Sequence, residues 1–233
     1  MKKFLLVTVA MLALSANLSA TLLSDLIANN GSILVGDKLF SNFTFSMTCS
    51  TNPSNPVSGT CAPTDASGIN VSGITQGGMF GIEFQGAIKV LALNPGFTVG
   101  DWLLGYTATV VGTDFLISDM HLSFNGSNIG QFGQAVIVET IYEAGTQNVL
   151  GQLQVNNPPA NLTAQVDLSK FVKSIDVKKD ISLSVYGAFP DSAEISFIDQ
   201  YLSQTGGEVP EPGTYAMMGA GLIALAAIRR RKA

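Results

Sequence analysis

Asp101–Val111 reads Asp-Trp-Leu-Leu-Gly-Tyr-Thr-Ala-Thr-Val-Val. Trp102, Leu104, Tyr106, Ala108 and Val110 fall on one parity, and Leu103, Gly105, Thr107, Thr109 and Val111 on the other. Successive side chains of a strand point to opposite faces, so a period of two specifies a strand with one face turned to a core. The same rhythm recurs along the chain. Phe80, Ile82 and Phe84 share a parity, as do Met120, Leu122 and Phe124. In the run 134–142, Val136, Val138 and Thr140 oppose Ala135, Ile137 and Glu139, and 180–187 and 193–201 complete the set. Asn94-Pro95-Gly96, Asn125-Gly126 and Asn156-Asn157-Pro158-Pro159 punctuate the gaps with turn residues. Many short strands separated by turns imply an all-β chain folded as an antiparallel β-sandwich, with a jelly roll or other closed barrel as the alternative. Two short helices are expected, at Leu22–Ala28, closed by Asn-Asn-Gly, and at Leu168–Ser174.

The two ends follow other rules. Residues 1–20 begin with Lys2 and Lys3, continue as an apolar run from Phe4 to Leu14, and finish in small and polar residues. That is the layout of a secretory signal peptide, with cleavage expected after Ala20 or Ala16. At the other end, Pro210 and Pro212 flank Glu211, which rules out a continuing helix or a central strand. Gly213–Ile228 then holds 16 residues with no charge. As a helix this run would be about 24 Å long at ~1.5 Å per residue. It falls short of a bilayer core of about 30 Å, a deficit that flanking basic side chains reduce by snorkelling. Arg229, Arg230, Arg231 and Lys232 follow, a poor ending for a core helix and a good stop for membrane transfer. The chain therefore divides into a signal peptide (1–20), an exported β domain (21–207) and a C-terminal signal with a short transmembrane helix (208–233).

This tail closely resembles the PEP-CTERM sorting signal: Val209, Pro210, Glu211 and Pro212, then a short apolar helix rich in Gly and Ala, then a terminal Arg cluster. The resemblance covers about 25 residues. In that family the signal is read by exosortase, a multi-spanning membrane transpeptidase of Gram-negative bacteria that also make extracellular polysaccharide. The segment 32–46, SILVGDKLFSNFTFS, is also similar to a stretch found in one group of PEP-CTERM proteins. The resemblance implies an exported protein that is first tethered to the inner membrane and then reaches the cell surface or extracellular matrix. It implies exosortase as a partner, with exopolysaccharide as a further one. Val209–Pro212 would serve as the recognition peptide and Arg229–Lys232 as the stop. Export into an oxidising compartment would leave Cys49 and Cys61 joined as a disulfide.

Charge narrows the function of the body. Setting aside Lys2, Lys3 and Arg229–Lys232 leaves six basic residues, all lysine; setting aside Glu208 and Glu211 leaves 15 acidic ones. A body of net charge −9 without arginine is a poor binder of phosphate or nucleic acid. No G-x-S-x-G, H-E-x-x-H or phosphate-cradling glycine loop is present. Two cysteines and one histidine, His121, are too few ligands for a zinc site, and Asp114 and Asp119 lack calcium-loop spacing. No metal or cofactor is expected, and Asn42, Asn125 and Asn161 are expected to be ordinary loop residues.

Asp119, His121 and Ser123 share a strand parity and superficially compose a nucleophilic triad. Neighbours two apart on a strand are separated by about 6.6–7 Å of rise, which predicts no proton relay among them. With 15 acidic residues, a hydrolytic carboxylate pair could be drawn at will and carries no weight. The body is thus expected to be non-enzymatic, with a structural or interaction role. The alternative is a glycan-binding module, for which Trp102 and Tyr106 are the candidate contacts if exposed, although their regular strand argues for the core. A secreted hydrolase is the least supported reading.

Overall fold

The computed structural model describes residues 20–51, 59–93, 96–125, 131–187 and 190–206. The chain enters through β1 (Thr21–Leu22) and α1 (Leu23–Ala28), followed by β2 (Ile33–Val35), β3 (Lys38–Thr51) and β4 (Gly59–Ala62). Then come β5 (Asn70–Gln76), β6 (Met79–Ala92), β7 (Gly96–Val110), β8 (Leu116–Phe124) and β9 (Gly133–Glu143). The series closes with β10 (Val149–Asn157), β11 (Thr163–Val172), β12 (Ser174–Gly187) and β13 (Asp191–Thr205).

Two antiparallel sheets form a sandwich. The first runs β1-β5-β6-β13-β8-β11, with β4 also paired to β6, and the second runs β10-β9-β12-β7-β3-β2. From β6 onward the chain changes sheet at almost every connection, and only β9 and β10 are consecutive partners in one sheet. Both sheets keep edge strands, so the molecule is a sandwich rather than a closed barrel.

The parity read in the sequence becomes the core. Trp102, Leu104, Ala108 and Val110 of β7 face Ile82, Phe84, Ile88 and Val90 of β6 across the sandwich, and all are buried. Each Leu, Ile, Val or Phe of this set removed from water contributes about 1.5–3 kcal/mol. Trp102 is wholly enclosed, and its indole N–H donates to the Pro63 carbonyl at 2.9 Å. A Cβ placed on Gly100 would sit 2.2 Å from the Trp102 ring, so the absence of a side chain there makes room for it.

The expected helix near residue 22 is α1. Its C-terminus is closed by the Gly31 N–H donating to the Leu26 carbonyl, with Asn30 at φ 46° supplying the left-handed turn. The second expected helix is overturned: Leu168–Ser174 lies in β11 and the start of β12. An irregularity between Asp167 and Val172 lets Leu168 and Val172 both turn inward while Ser169, Lys170 and Phe171 stay exposed. Two apolar residues four apart imitate helical spacing, and a bulged strand produces the same pattern. The expected signal helix and C-terminal transmembrane helix lie outside the described residues, among which no helix is long and apolar enough to cross a membrane.

Candidate functional site

Cys49 on β3 and Cys61 on β4 are joined, and the bond ties one sheet to the other. No free cysteine remains. Closing a loop of this size stabilises the fold by roughly 3 kcal/mol in the chain-entropy picture.

Trp102 and Tyr106 cannot be glycan contacts, which corrects that candidate pair. Trp102 is completely buried and Tyr106 is 3% exposed. Tyr106 packs among Phe40, Phe43 and Phe84 with ring centroids 5.9–6.1 Å apart, and burial drives its phenol well above the ordinary range. Strand alternation put both residues on the inward parity, and the opposing sheet covers that parity.

The accessible chemistry lies on the outward face of the first sheet. Two rows of side chains cross its strands. One places Gly81, Tyr201, His121 and Gln165 in register on β6, β13, β8 and β11. The other places Glu83, Asp199, Ser123 and Thr163 on the same four strands. A groove of about 480 Å³ on this face is lined by Tyr201, His121, Gln165, Asp199, Gln76 and Met79. Gly81 is required where it stands, because a Cβ there would lie 2.0 Å from the Gln200 carbonyl oxygen.

Two carboxylates of this face oppose one another. Asp199 is pushed up to about 6, first by burial and then by the charge and hydrogen bond of Glu83. Asp199 Oδ1 is enclosed and has no donor unless one of the two acids carries a proton. The outward face of the second sheet repeats the device: Asp101 rises to about 6 through burial and its contact with Asp180.

Rise along the strand was expected to keep Asp119 out of reach, yet Asp119 Oδ1 lies 2.9 Å from His121 Nε2 because the two side chains lean together. The serine that approaches the imidazole is Ser203 on β13, with Oγ 3.4 Å from Nε2, rather than Ser123. Both neighbours address the same ring nitrogen, and Asp119 Oδ1 lacks a hydrogen-bond alignment. A relay needs the acid on one nitrogen and the nucleophile on the other. Among the described residues, no group of three or more His, Cys, Asp or Glu side chains converges to hold a metal ion.

The sequence reading missed a set of polar residues inside the core. Lys38, Glu139, Lys179 and Gln200 are all 0% exposed. Parity carried a signal: Glu139 lies in step with Ala135, Ile137 and Ile141, and Lys179 with Ile175, Val177, Ile181 and Leu183, all of them buried. A charge on an apolar parity requires a partner inside the protein.

The expected recognition peptide Val209–Pro212 and the cluster Arg229–Lys232 lie outside the described residues. In sequence, the family model for the PEP-CTERM protein-sorting motif matches residues 208–232. The chain carries a PEP-CTERM sorting signal. Such a signal marks an exported chain that is handled at the membrane. No curated protein matches this chain.

Solved structures resemble its sandwich at low identity. One is the glycosylation-associated Gap123 complex of Streptococcus agalactiae: 10% identity, TM-score 0.29, 69% of this chain and 26% of that one. This chain thus spans about a quarter of that protein's length. A carbohydrate-binding module of the β-sandwich superfamily gives 9% identity and a TM-score of 0.24 over 72% of each chain. The family 11 carbohydrate-binding module of Clostridium thermocellum, solved with a mixed-linked tetrasaccharide, gives 8% and 0.22, covering 71% of this chain and 89% of that one. Overlap at this level carries neither ligand nor activity across.

Proposed function

We propose that this is a non-enzymatic surface or extracellular-matrix protein, associated with exopolysaccharide and delivered by an exosortase-type transpeptidase. The match of residues 208–232 to the sorting motif carries the reading. Val209–Pro212 is the recognition peptide. The apolar run holds the precursor beside a membrane-embedded enzyme, and Arg229–Lys232 stop transfer. Replacing Pro210, Glu211 and Pro212 together by alanine should leave an unprocessed, membrane-held precursor. The mass of the mature C-terminus would show it, and normal processing of that variant would remove the reading.

A second reading, a glycan-binding module on the same route, is favoured by the outward groove. Tyr201 lines it together with His121, Gln165, Asp199 and Gln76, an aromatic ring among polar side chains of the kind that hold a sugar. Titration with soluble polysaccharide from the producing cell tests it. Binding lost in Tyr201→Ala would place the glycan in the groove, and no heat in the wild type would leave the structural role alone.

A further inference from the structure

Lys179 on β12 and Glu139 on β9 stand directly opposite one another in the second sheet. Gln200 reaches them from β13 of the first sheet. The Lys179 ammonium contacts both Glu139 Oε2 and Gln200 Oε1, and it lies 5.9 Å from the centre of the Tyr106 ring. All three side chains are sealed from solvent. Gln200 is fixed in orientation, since its amide nitrogen donates to the His121 backbone carbonyl at 2.9 Å and its oxygen therefore turns to the lysine. Glu139 Oε1 has no hydrogen-bond partner.

An ion pair is an expensive occupant for such a place, because neither charge keeps its water. Burial drives the Lys179 ammonium well below its ordinary range, toward the neutral amine. A neutral lysine amine in an apolar pocket is a nucleophile, and a carboxamide carbon held beside it is an electrophile. A carboxyl group touching the amine supplies the proton traffic.

The geometry points to an intramolecular amide bond between Lys179 Nζ and Gln200 Cδ, formed with Glu139 as proton shuttle. Lys179 first passes a proton to Glu139, leaving an amine and a carboxylic acid. The amine nitrogen attacks Gln200 Cδ while the acid donates to the carbonyl oxygen. The proton from the attacking nitrogen passes through the carboxyl group to the departing nitrogen, the Cδ–Nε2 bond breaks and ammonia leaves, and the oxygen returns its proton to Glu139 as the carbonyl reforms. One C–N bond forms and one breaks, with no oxidant or cofactor. The product core holds a secondary amide and a neutral acid, so both buried charges are gone. Prepositioning by the fold replaces an activating enzyme.

The same constellation occurs a second time on β13. Lys38 of β3, also fully buried, contacts Gln204 Oε1 and lies 2.5 Å from Asp37 Oδ1. Asp37 is held by the Thr113 hydroxyl at 3.0 Å, and the Phe80 ring centre is 5.6 Å from the lysine nitrogen. Lysine, acid, glutamine and aromatic ring recur, again bridging the two sheets, and the same chemistry assigns a Lys38–Gln204 link.

The test is tandem mass spectrometry of the folded, exported full chain after digestion at acidic residues. Asp180, Asp191, Glu194 and Asp199 lie between Lys179 and Gln200, so the digest separates the two unless they are bonded. The expected result is one branched fragment containing both residues, lighter than its two parts by one ammonia, and absent from Glu139→Gln. Should that variant fail to fold, the wild-type digest still decides. Separate wild-type fragments of full mass overturn the assignment. So does ammonia loss traced to Asn125-Gly126, or loss of water with Lys179 joined to Glu139. A fragment joining the Lys38 and Gln204 peptides confirms the second link, and its absence removes that link.

Discussion

The two faces of β13 treat their polar side chains in opposite ways. Inward, Gln200 and Gln204 each meet a lysine that comes from the other sheet and is accompanied by an acid. Outward, Asp199 meets another acid, Glu83, and Tyr201 is pushed up by burial and by both of those carboxylates. Groups that can neutralise one another meet where water is excluded, and like charges meet where water can screen them. Polarity inside this sandwich therefore serves to join the sheets, and polarity outside serves to meet solvent or a ligand. The outward arrangement costs stability at neutral pH, which a face reserved for packing would not need to bear.

The sharpest way to break the comparison is to remove one inward partner. Lys179→Met should destabilise the domain by about 3–5 kcal/mol in urea unfolding, because Glu139 is left buried without its partner and the tie to Gln200 is lost. Adding Glu139→Leu should recover only the part of that loss due to the stranded acid, because the tie to Gln200 stays absent; full recovery would mean that the lysine contributes no more than its charge. Next in size is the tie between the sheets. Cys49→Ser with Cys61→Ser should cost about 3 kcal/mol. Peptide mapping without reductant should find the two cysteines in one linked fragment.

The outward acids respond to pH with the reverse sign. Asp101 and Asp199 rise from 3.8 to about 6 on folding, so the folded state binds more protons than the unfolded chain between those values. Their contribution is most favourable at or below pH 4 and is lost as pH rises through about 6. Asp199→Asn should stabilise the protein at pH 7, by less than ~1 kcal/mol once solvent screening is counted. The gain should vanish near pH 4 in thermal melts, and a gain that persists there would contradict the carboxylate origin. The smallest effect is expected at His121, whose side chain is 29% exposed. His121→Ala should change stability within about 0.5 kcal/mol and leave delivery unaltered. A large loss of a hydrolytic activity in that variant would overturn the non-enzymatic reading.

The layered fold was legible because one parity of Trp102–Val110, Phe80–Phe84 and Met120–Phe124 is apolar without interruption. The same parity carries Glu139 and Lys179, whose burial went unread because a charged residue on an apolar parity gives no sign of its partner. What it could not supply was Gln200, which arrives from the opposite sheet. The groove was hidden for the same reason: Tyr201, His121 and Gln165 adjoin only after β13, β8 and β11 have paired. Ser203 meets His121 across 82 positions of sequence, beyond anything a local pattern records. The misread helix at Leu168–Ser174 has a different cause, since spacing alone does not distinguish a turn of helix from a bulged strand.

The place of β13 in its sheet has a mechanical consequence. It is the last strand before the sorting motif, and it lies between β6 and β8 rather than at an edge. Tension applied through the tail would run along this strand. The hydrogen bonds to both neighbours lie across that direction, so they would be loaded together in shear instead of being peeled one at a time. A domain anchored from that side would resist extraction by drag far better than one hung from an edge strand.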